Sequence, residues 1–169
     1  MAAFGGNYDG CGYSIKNGTV AAVNVDDGHA FETSYGHGLF GVIYGAVIEN
    51  VVLEDIQVVG RGVSGAIVGR AASPFVANND EFVSFNIISG CEVKDSVKIV
   101  TLLPGGKYTA STGFDNPLKA GRVGSICGMA HATLIEGCRS DADMRITGTF
   151  TLAGGIAGTA GLNTVINNC

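Results

Sequence analysis

The sequence has few basic residues and no apolar segment long enough to cross a bilayer. Lysine and arginine number 10 against 15 acidic residues, which gives a formal net charge of −5. No basic stripe is therefore available to neutralise nucleic-acid phosphates. The longest apolar windows are interrupted by Gly, Glu or Asp and fall short of the roughly 20 residues that a transmembrane helix needs. We expect neither a nucleic-acid partner nor a membrane span.

Signatures of targeting and of metal binding are missing as well. The chain does not start with a basic stretch followed by an apolar one, so no signal peptide is visible. Its five cysteines lack the Cys-x-x-Cys pairing of a zinc site. The segment VNVDDGH (23–29) is a poor approximation to a calcium loop of alternating oxygen ligands. We expect no metal, no cofactor and no catalytic residue.

Glycine is the abundant residue, at 27 of 169 positions, whereas proline occurs three times and tryptophan is absent. Average glycine usage is about 7%, and each glycine inside a helix costs up to about 1 kcal/mol. A helical protein is therefore disfavoured. The length suits one domain that buries roughly two thirds of its unfolded surface, and we expect a single all-β domain over residues 1–169.

Two short words recur along the chain. The first occurs as HGLFG (37–41), GAIVG (65–69), GSICG (124–128) and GGIAG (154–158). The second follows each of them, as IENV (48–51), ISGC (88–91), IEGC (135–138) and INNC (166–169), and we interpret IKNG (15–18) as its fifth copy. Copies of the second word begin at 15, 48, 88, 135 and 166. The chain is therefore a repeat protein with loops of variable length.

The repeat predicts a parallel β-helix, or β-solenoid, of about five coils with two loop insertions. Its words are short β-branched segments bracketed by glycines, as strands joined by tight bends are. In a solenoid these strands pair in parallel with those of the next coil at about 4.8 Å. The competing architecture is an antiparallel sandwich or barrel. A sandwich, however, does not need the same five-residue word at four equivalent places.

These words resemble the GLUG-type repeats of bacterial surface and secreted proteins. The opening segment FGGNYDGCGYSIKNG (4–18) is similar to the corresponding segment of those and other right-handed parallel β-helices. The resemblance implies a right-handed β-helix at the cell surface or outside the cell, adhesin-like or attached to a larger enzyme, and it implies no particular ligand. The chain departs from the pattern in HGLFG, which lacks the first glycine. We interpret the chain as a segment of a longer protein with adjacent domains.

The segment GSICGMAH (124–131) most resembles an active site, because a glycine-framed Cys127 precedes His131 by four residues. A thiol nucleophile would also need an orienting third group, which the sequence does not show. In the repeat alignment Cys127 shares its position with Phe40, Val68 and Ala157, as a core-facing residue does. We therefore expect Cys127 to be buried and unreactive.

The other cysteines follow the repeat in the same way. Cys91, Cys138 and Cys169 share one position with Val51, which predicts a ladder of thiols on consecutive coils. Their Cα spacing would permit disulfides, but their parallel Cβ vectors make the bridge dihedral hard to reach. We expect free thiols, and we expect Cys11 to lie apart from the ladder in the DGCG turn.

Three pairs of neighbouring acidic residues are the remaining candidates for chemistry. They are Asp26 with Asp27, Asp80 with Glu81, and Asp141 with Asp143. A glycosidase needs two carboxyl groups held several Å apart across a sugar, and no ladder of acidic positions emerges from the alignment. Each pair is more simply a solvated turn.

Two insertions, RAASPFVANNDEFVSFN (70–86) and TLLPGGKYTASTGFDNPLKAGR (101–122), interrupt the repeat. Loops on a repeat scaffold tend to carry binding. Their aromatic residues are our candidate binding residues for glycans or for host or cell-surface proteins: Phe75, Phe82, Phe85, Tyr108 and Phe114. The alternative is that these rings form small satellite cores or cap an open coil.

Two functions therefore stand. The first is a non-catalytic extracellular module that acts as a spacer or as an adhesin-like binding scaffold. The second is part of a carbohydrate-active β-helix enzyme, a polysaccharide lyase or a glycoside hydrolase. A groove with clustered acidic and basic residues beside exposed aromatic rings would favour the second, and scattered charges would favour the first.

Overall fold

The protein is built from β-strands. A computed structural model describes residues 3–21, 36–60, 62–72, 75–76, 81–82, 85–102, 121–147, 151–161 and 163–169, and at 75–76, 81–82 and 102 it describes the backbone alone. Within these ranges the chain forms strands, turns and bends and no helix. Consequently the described residues include no helix that could span a membrane. The expectation of an all-β chain is confirmed.

The strands form four parallel sheets, which we number I to IV, and one hairpin. Sheet I contains β1 (Asn7–Asp9), β5 (Val47–Glu49), β11 (Asn86–Ser89), β16 (Thr133–Glu136) and β21 (Val165–Asn167). Sheet II contains β2 (Ser14–Ala21), β6 (Val52–Gly60), β12 (Glu92–Val93), β13 (Lys98–Leu102), β17 (Arg139–Ser140) and β18 (Asp143–Thr147). Sheet III contains β3 (Gly36–His37), β7 (Val63–Ser64), β14 (Gly121–Gly124) and β19 (Thr151–Gly154). Sheet IV contains β4 (Phe40–Tyr44), β8 (Val68–Ala72), β15 (Cys127–Ala130) and β20 (Ala157–Ala160), and the antiparallel hairpin pairs β9 (Phe75–Val76) with β10 (Glu81–Phe82).

The chain visits the four sheets in the same order, I to IV, each time; we call one such round a pass. It completes four passes, and β21 begins a fifth. Every pairing within the four sheets is parallel, and it joins strands of adjacent passes. In sheet I, Ile88 lies between Ile48 and Ile135, and Ile135 pairs in turn with Ile166. The second repeated word therefore stacks on itself in register.

The first repeated word stacks in the same way in sheet IV. Val68 pairs with Phe40 and with Cys127, and Cys127 pairs with Ala157. This confirms the predicted alignment at its fourth position. The alignment of HGLFG at its first position is wrong. Because His37 pairs with Ser64, it is Gly38 that matches the opening glycine of the next copy, and this word is one residue shorter.

The interpretation of IKNG (15–18) as a copy of the second word is also wrong. Strand β2 pairs with β6 in sheet II, where Ile15 lies beside Leu53, whereas Tyr8 pairs with Ile48 in sheet I. The two segments look alike because both place a residue with left-handed backbone after an isoleucine. Asn17 has φ 58° and Asn50 has φ 52°, and asparagine tolerates this region better than most residues do.

Backbone conformation explains which residue types occupy the third position of the second word. It is occupied by Asn50, Gly90, Gly137 and Asn168, whose φ angles are 52°, 59°, 59° and 52°. Glycine and asparagine are the residues that adopt such left-handed conformations at least cost. The same turn thus redirects the chain from sheet I into sheet II after the copies at 48–51, 88–91 and 135–138.

The core lies between the sheets and runs along the stack. Ile48, Ile88 and Ile135 are fully buried, whereas Ile166 on the last strand of sheet I is 43% exposed. Each of these residues faces the equivalent residue of the next pass. Burial of one such side chain contributes about 1.5–3 kcal/mol, so the isoleucine column is a major stabilising feature.

Sheets III and IV approach each other too closely for side chains at the glycine words. A Cβ atom on Gly128 in sheet IV would lie 2.7 Å from the amide nitrogen of Ser64 in sheet III and 2.6 Å from the carbonyl oxygen of Gly69. A Cβ atom on Gly65 would lie 2.7 Å from the amide nitrogen of Gly128. The opposing atoms belong to the backbone and cannot rotate away. The glycines are therefore required by the contact between sheets.

We predict that Gly128→Ala lowers the free energy of unfolding by about 1–3 kcal/mol or more, because the added methyl group overpacks the contact. Gly155→Ala is the matched control. Gly155 belongs to the equivalent word, its added Cβ would meet nothing within 4 Å, and other copies carry Ala66 and Ser125 there. Chemical denaturation of the two variants measures the difference. Equal stabilities would contradict the proposed close contact.

Candidate functional site

Cys127 lies inside the core. Its side chain is fully buried within the main hydrophobic cluster, and its Sγ donates to the carbonyl oxygen of Met129 at 3.3 Å. Burial raises the pKa of the Cys127 thiol to about 12. Because a nucleophilic cysteine acts as the thiolate, this environment opposes catalysis. The prediction of a buried core position is confirmed.

His131 lies just beyond β15, at the corner between sheets IV and I. Burial lowers the pKa of His131, and the charges of Arg70 and Arg122 lower that pKa further. The charged groups that lower the pKa of the imidazole are therefore arginines. His131 and Cys127 show no sign of forming a base and nucleophile pair.

The predicted thiol ladder is present, and all five cysteines are free. Cys91 and Cys138 are buried, and the backbone amide of Cys138 lies 3.4 Å from the Cys169 Sγ. Each thiol also contacts the carbonyl oxygen of the isoleucine one pass earlier: Cys91 that of Ile48 at 3.8 Å, Cys138 that of Ile88 at 3.6 Å, and Cys169 that of Ile135 at 3.7 Å. The hydrogen bond between the Cys91 and Cys138 thiols, together with burial, raises the pKa of Cys138. Cys11 lies apart in an exposed turn, as predicted.

The acidic pair Asp141 and Asp143 forms local ion pairs at the surface of sheet II. Arg139 Nη2 lies 2.9 Å from Asp141 Oδ2, and Arg145 Nε lies 3.3 Å from Asp143 Oδ2, with all four side chains well exposed. Exposed pairs of this kind contribute little stability. This pair is solvated, as predicted. The pair Asp26 and Asp27, residue Asp80 and the side chain of Glu81 lie outside the described residues.

Three of the five candidate aromatic residues belong to the first insertion. The backbones of Phe75 and Phe82 lie directly opposite each other in the hairpin, and Phe85, which follows the hairpin, is 48% exposed. Tyr108 and Phe114 of the second insertion lie outside the described residues. The structure thus keeps Phe85 available as a surface aromatic residue.

A second exposed ring lies near the start of the same insertion. Tyr44 ends β4, pairs with Ala72 at the end of β8, and is 39% exposed. Within this insertion, Ala72 precedes the hairpin and Phe85 follows it. We call Tyr44 and Phe85 together the aromatic patch. No sequence pattern marks Tyr44 as a candidate, because it lies inside a regular repeat rather than an insertion.

Asn86 clamps the base of the insertion. Its fully buried Nδ2 donates to the carbonyl oxygen of Ala72 at 2.9 Å, and its Oδ1 accepts from the amide of Ala46 at 3.3 Å. These bonds join the two ends of the insertion to each other and to the preceding pass. Asn86 therefore fixes Phe85 close to the corner that carries Tyr44. A lone asparagine carries no distinctive pattern, so sequence reasoning missed it.

No protein-family model, curated protein or solved structure matches the chain. Among the residues that the structure describes, the features available for function are the aromatic patch, its Asn86 clamp and the arginines near His131.

We predict that a thiol reagent modifies Cys11 rapidly in the native protein and leaves Cys127 unmodified until unfolding. The cause is that Cys11 is exposed, whereas a thiol with a pKa of about 12 is almost wholly protonated at pH 8. Mass spectrometry of peptides after timed labelling measures both rates, with Cys11 as the internal control. Equal native rates would contradict the buried position.

We predict that Asn86→Leu costs about 1–3 kcal/mol of unfolding free energy, because it leaves the Ala72 carbonyl and the Ala46 amide unpaired. Ser89→Ala on the same strand is the control, since the Ser89 hydroxyl donates to the partly exposed Glu49 carboxylate at 3.0 Å. Denaturant titration of both variants measures the costs. A smaller cost for Asn86→Leu than for Ser89→Ala would count against the clamp.

Proposed function

We propose that the chain is a non-catalytic module of a right-handed parallel β-helix, of about five coils, from a bacterial surface or secreted protein related to GLUG-type repeat proteins. In this proposal each pass is one coil. The module is a stiff scaffold that presents a binding patch to glycans or to a surface protein. It lies outside the cell or at the cell surface.

The repeated sheet order supports the β-helix. The chain meets sheets I to IV in the same sequence each time, and equivalent words pair in register across four strands. Parallel strands connected in one rotational sense are the arrangement that a coiled solenoid requires. The close glycine contacts between sheets III and IV recur from one pass to the next. This recurrence also supports a coil that repeats the same geometry.

The aromatic patch is the observation that carries the binding function. Tyr44 and Phe85 are 39% and 48% exposed, and they flank the base of an insertion that Asn86 holds to the rigid stack. Exposed aromatic rings provide apolar faces against which a sugar or an apolar side chain can pack. A rigid scaffold with loops is the usual way in which repeat proteins position such residues.

The distribution of carboxylates supports a non-catalytic module. Asp141 and Asp143 pair with neighbouring arginines. A shallow depression of about 390 Å³ on sheet II contains one carboxylate, Asp55, beside Lys98 and no aromatic ring. Glycoside hydrolysis needs two carboxyl groups on either side of the sugar, and this depression lacks the second.

The test is a glycan array probed with the whole chain, followed by titration of each hit by isothermal calorimetry. We expect Phe85→Ala and Tyr44→Ala each to weaken binding at least tenfold, because each removes one apolar face of the patch. Tyr13→Ala is the matched control, since Tyr13 is 78% exposed but lies in the first turn, far along the chain from the insertion. Absence of binding across the array, or equal loss in the control, would contradict glycan binding at the patch.

A further inference from the structure

Sheet I has a second column of apolar residues on the face that points away from the core. Ile48, Ile88 and Ile135 point inward and are fully buried. The residue directly before each of them points to the opposite face, because side chains alternate along a strand. These preceding residues lie in register on four adjacent strands, and all of them are aliphatic. We call them the outer stripe: Val47, Ile87, Leu134 and Val165.

The outer stripe is not part of the core. Val47, Ile87 and Leu134 are partly exposed, and Val165 is 53% exposed. In the part of the chain that the structure describes, none of the four belongs to the main hydrophobic cluster or to the residues packed against it. The main strand neighbours of sheet I in that part are its own strands. The stripe is therefore an aliphatic surface about 14 Å long, since adjacent strands lie about 4.8 Å apart.

A column with three carboxylates runs beside the outer stripe on the same face. It lies two residues further along each strand, and its members pair in register: Asp9, Glu49, Ser89, Glu136 and Asn167. The five strands of sheet I contain these three carboxylates and no lysine, arginine or histidine. The outward face is therefore apolar along one column and negative along the next.

Among the described residues, the hydrogen-bond donors to these three carboxylates are neutral groups. Glu49 Oε1 accepts from the Ser89 hydroxyl at 3.0 Å, and Glu136 Oε1 accepts from Asn167 Nδ2 at 3.0 Å. Asp9 likewise accepts from a side-chain amide. In sheet II, by contrast, carboxylates pair with cations: Glu54 with Lys16, Glu92 with Lys94, Asp141 with Arg139, and Asp143 with Arg145. The negative charge of the sheet I column is thus available to a partner.

We propose that the outward face of sheet I binds a basic amphipathic helix of a partner protein. Successive turns of a helix present side chains about every 5.4 Å, close to the strand spacing of about 4.8 Å. An extended partner would present them only about every 6.8 Å, so the helix matches the stripe better.

Charge complementarity selects a basic helix. Its apolar residues pack along the outer stripe, and its lysine or arginine residues pair with Glu49, Glu136 and Asp9. The inference goes beyond the proposed function, because it rests on sheet I and not on the aromatic patch.

The test measures binding of two synthetic peptides to the whole chain by isothermal calorimetry. The basic peptide has about 18 residues, enough to form a helix, with leucines along one face and lysines beside them. The control peptide carries glutamate in place of every lysine. We expect the basic peptide to bind and the acidic peptide to bind about tenfold more weakly or not at all. Added salt should weaken binding of the basic peptide, because salt screens exposed charges.

Two pairs of variants locate the binding on sheet I. Leu134→Ser removes an apolar side chain from the middle of the outer stripe and should weaken binding of the basic peptide about tenfold. Val100→Ser, which changes a partly exposed residue of sheet II, should leave binding unchanged. Glu136→Gln should weaken binding about twofold to fivefold, as loss of an exposed ion pair does, whereas Glu54→Gln on sheet II should have no effect. Both carboxylate variants change the net charge equally.

Three results would overturn the proposal. The first is that wild type does not bind the basic peptide. The second is equal binding by Glu136→Gln and Glu54→Gln, a comparison that also decides the matter if Leu134→Ser does not fold. The third is that wild type dimerises in sedimentation experiments and Leu134→Ser does not, which would assign the face to a second copy of the chain. None of these results alters the glycan-array test, whose variants at Phe85 and Tyr44 lie outside the outer stripe.

Discussion

The close approach of sheets III and IV is the constraint on which the rest of the structure depends. At the glycine words the backbones of the two sheets meet with no room for a Cβ atom on Gly65 or Gly128. A strand shifted by one residue would place a side chain in this contact, so the glycines set the register of each pass. Once that register is set, Ile48 faces Ile88 and Val51 faces Cys91. The isoleucine column and the thiol ladder follow from the same contact.

The repeated words made the all-β fold, the parallel stacking and the buried position of Cys127 predictable. Each depends on residues that recur at equivalent places, such as the Val68, Cys127 and Ala157 series. The failures came where local patterns coincide. IKNG at 15–18 resembles the second word because Asn17 and Asn50 both adopt left-handed backbone, and only the pairing of β2 with β6 separates them.

The functional features were less predictable, because they depend on what surrounds a residue. Phe85 was a candidate from its place in an insertion, but Tyr44 joins it only through the pairing of β4 with β8. Asn86 and Arg122 look like ordinary surface residues in the sequence. Their burial results from contacts between segments that lie far apart in the chain, which no local pattern encodes.

The same stacking places different types of side chain on different sheets. Sheet II carries exposed ion pairs, such as Lys16 Nζ with Glu54 at 2.7 Å, which keep that face hydrated. The described segments of sheets III and IV contain Arg70 and Arg122 but no aspartate or glutamate of their own, and the corner beyond sheet IV carries exposed rings. A repeat scaffold achieves this separation because each column of equivalent residues runs along one face.

The isoleucine column tests the stacking most directly. In a protein with selectively labelled isoleucine δ1 methyl groups, nuclear Overhauser effects should join Ile48 to Ile88, Ile88 to Ile135, and Ile135 to Ile166. Adjacent strands lie about 4.8 Å apart, so Ile48 and Ile135 should show no direct contact at twice that spacing. A strong Ile48–Ile135 contact, or an Ile88 methyl group without both neighbours, would contradict the parallel stack.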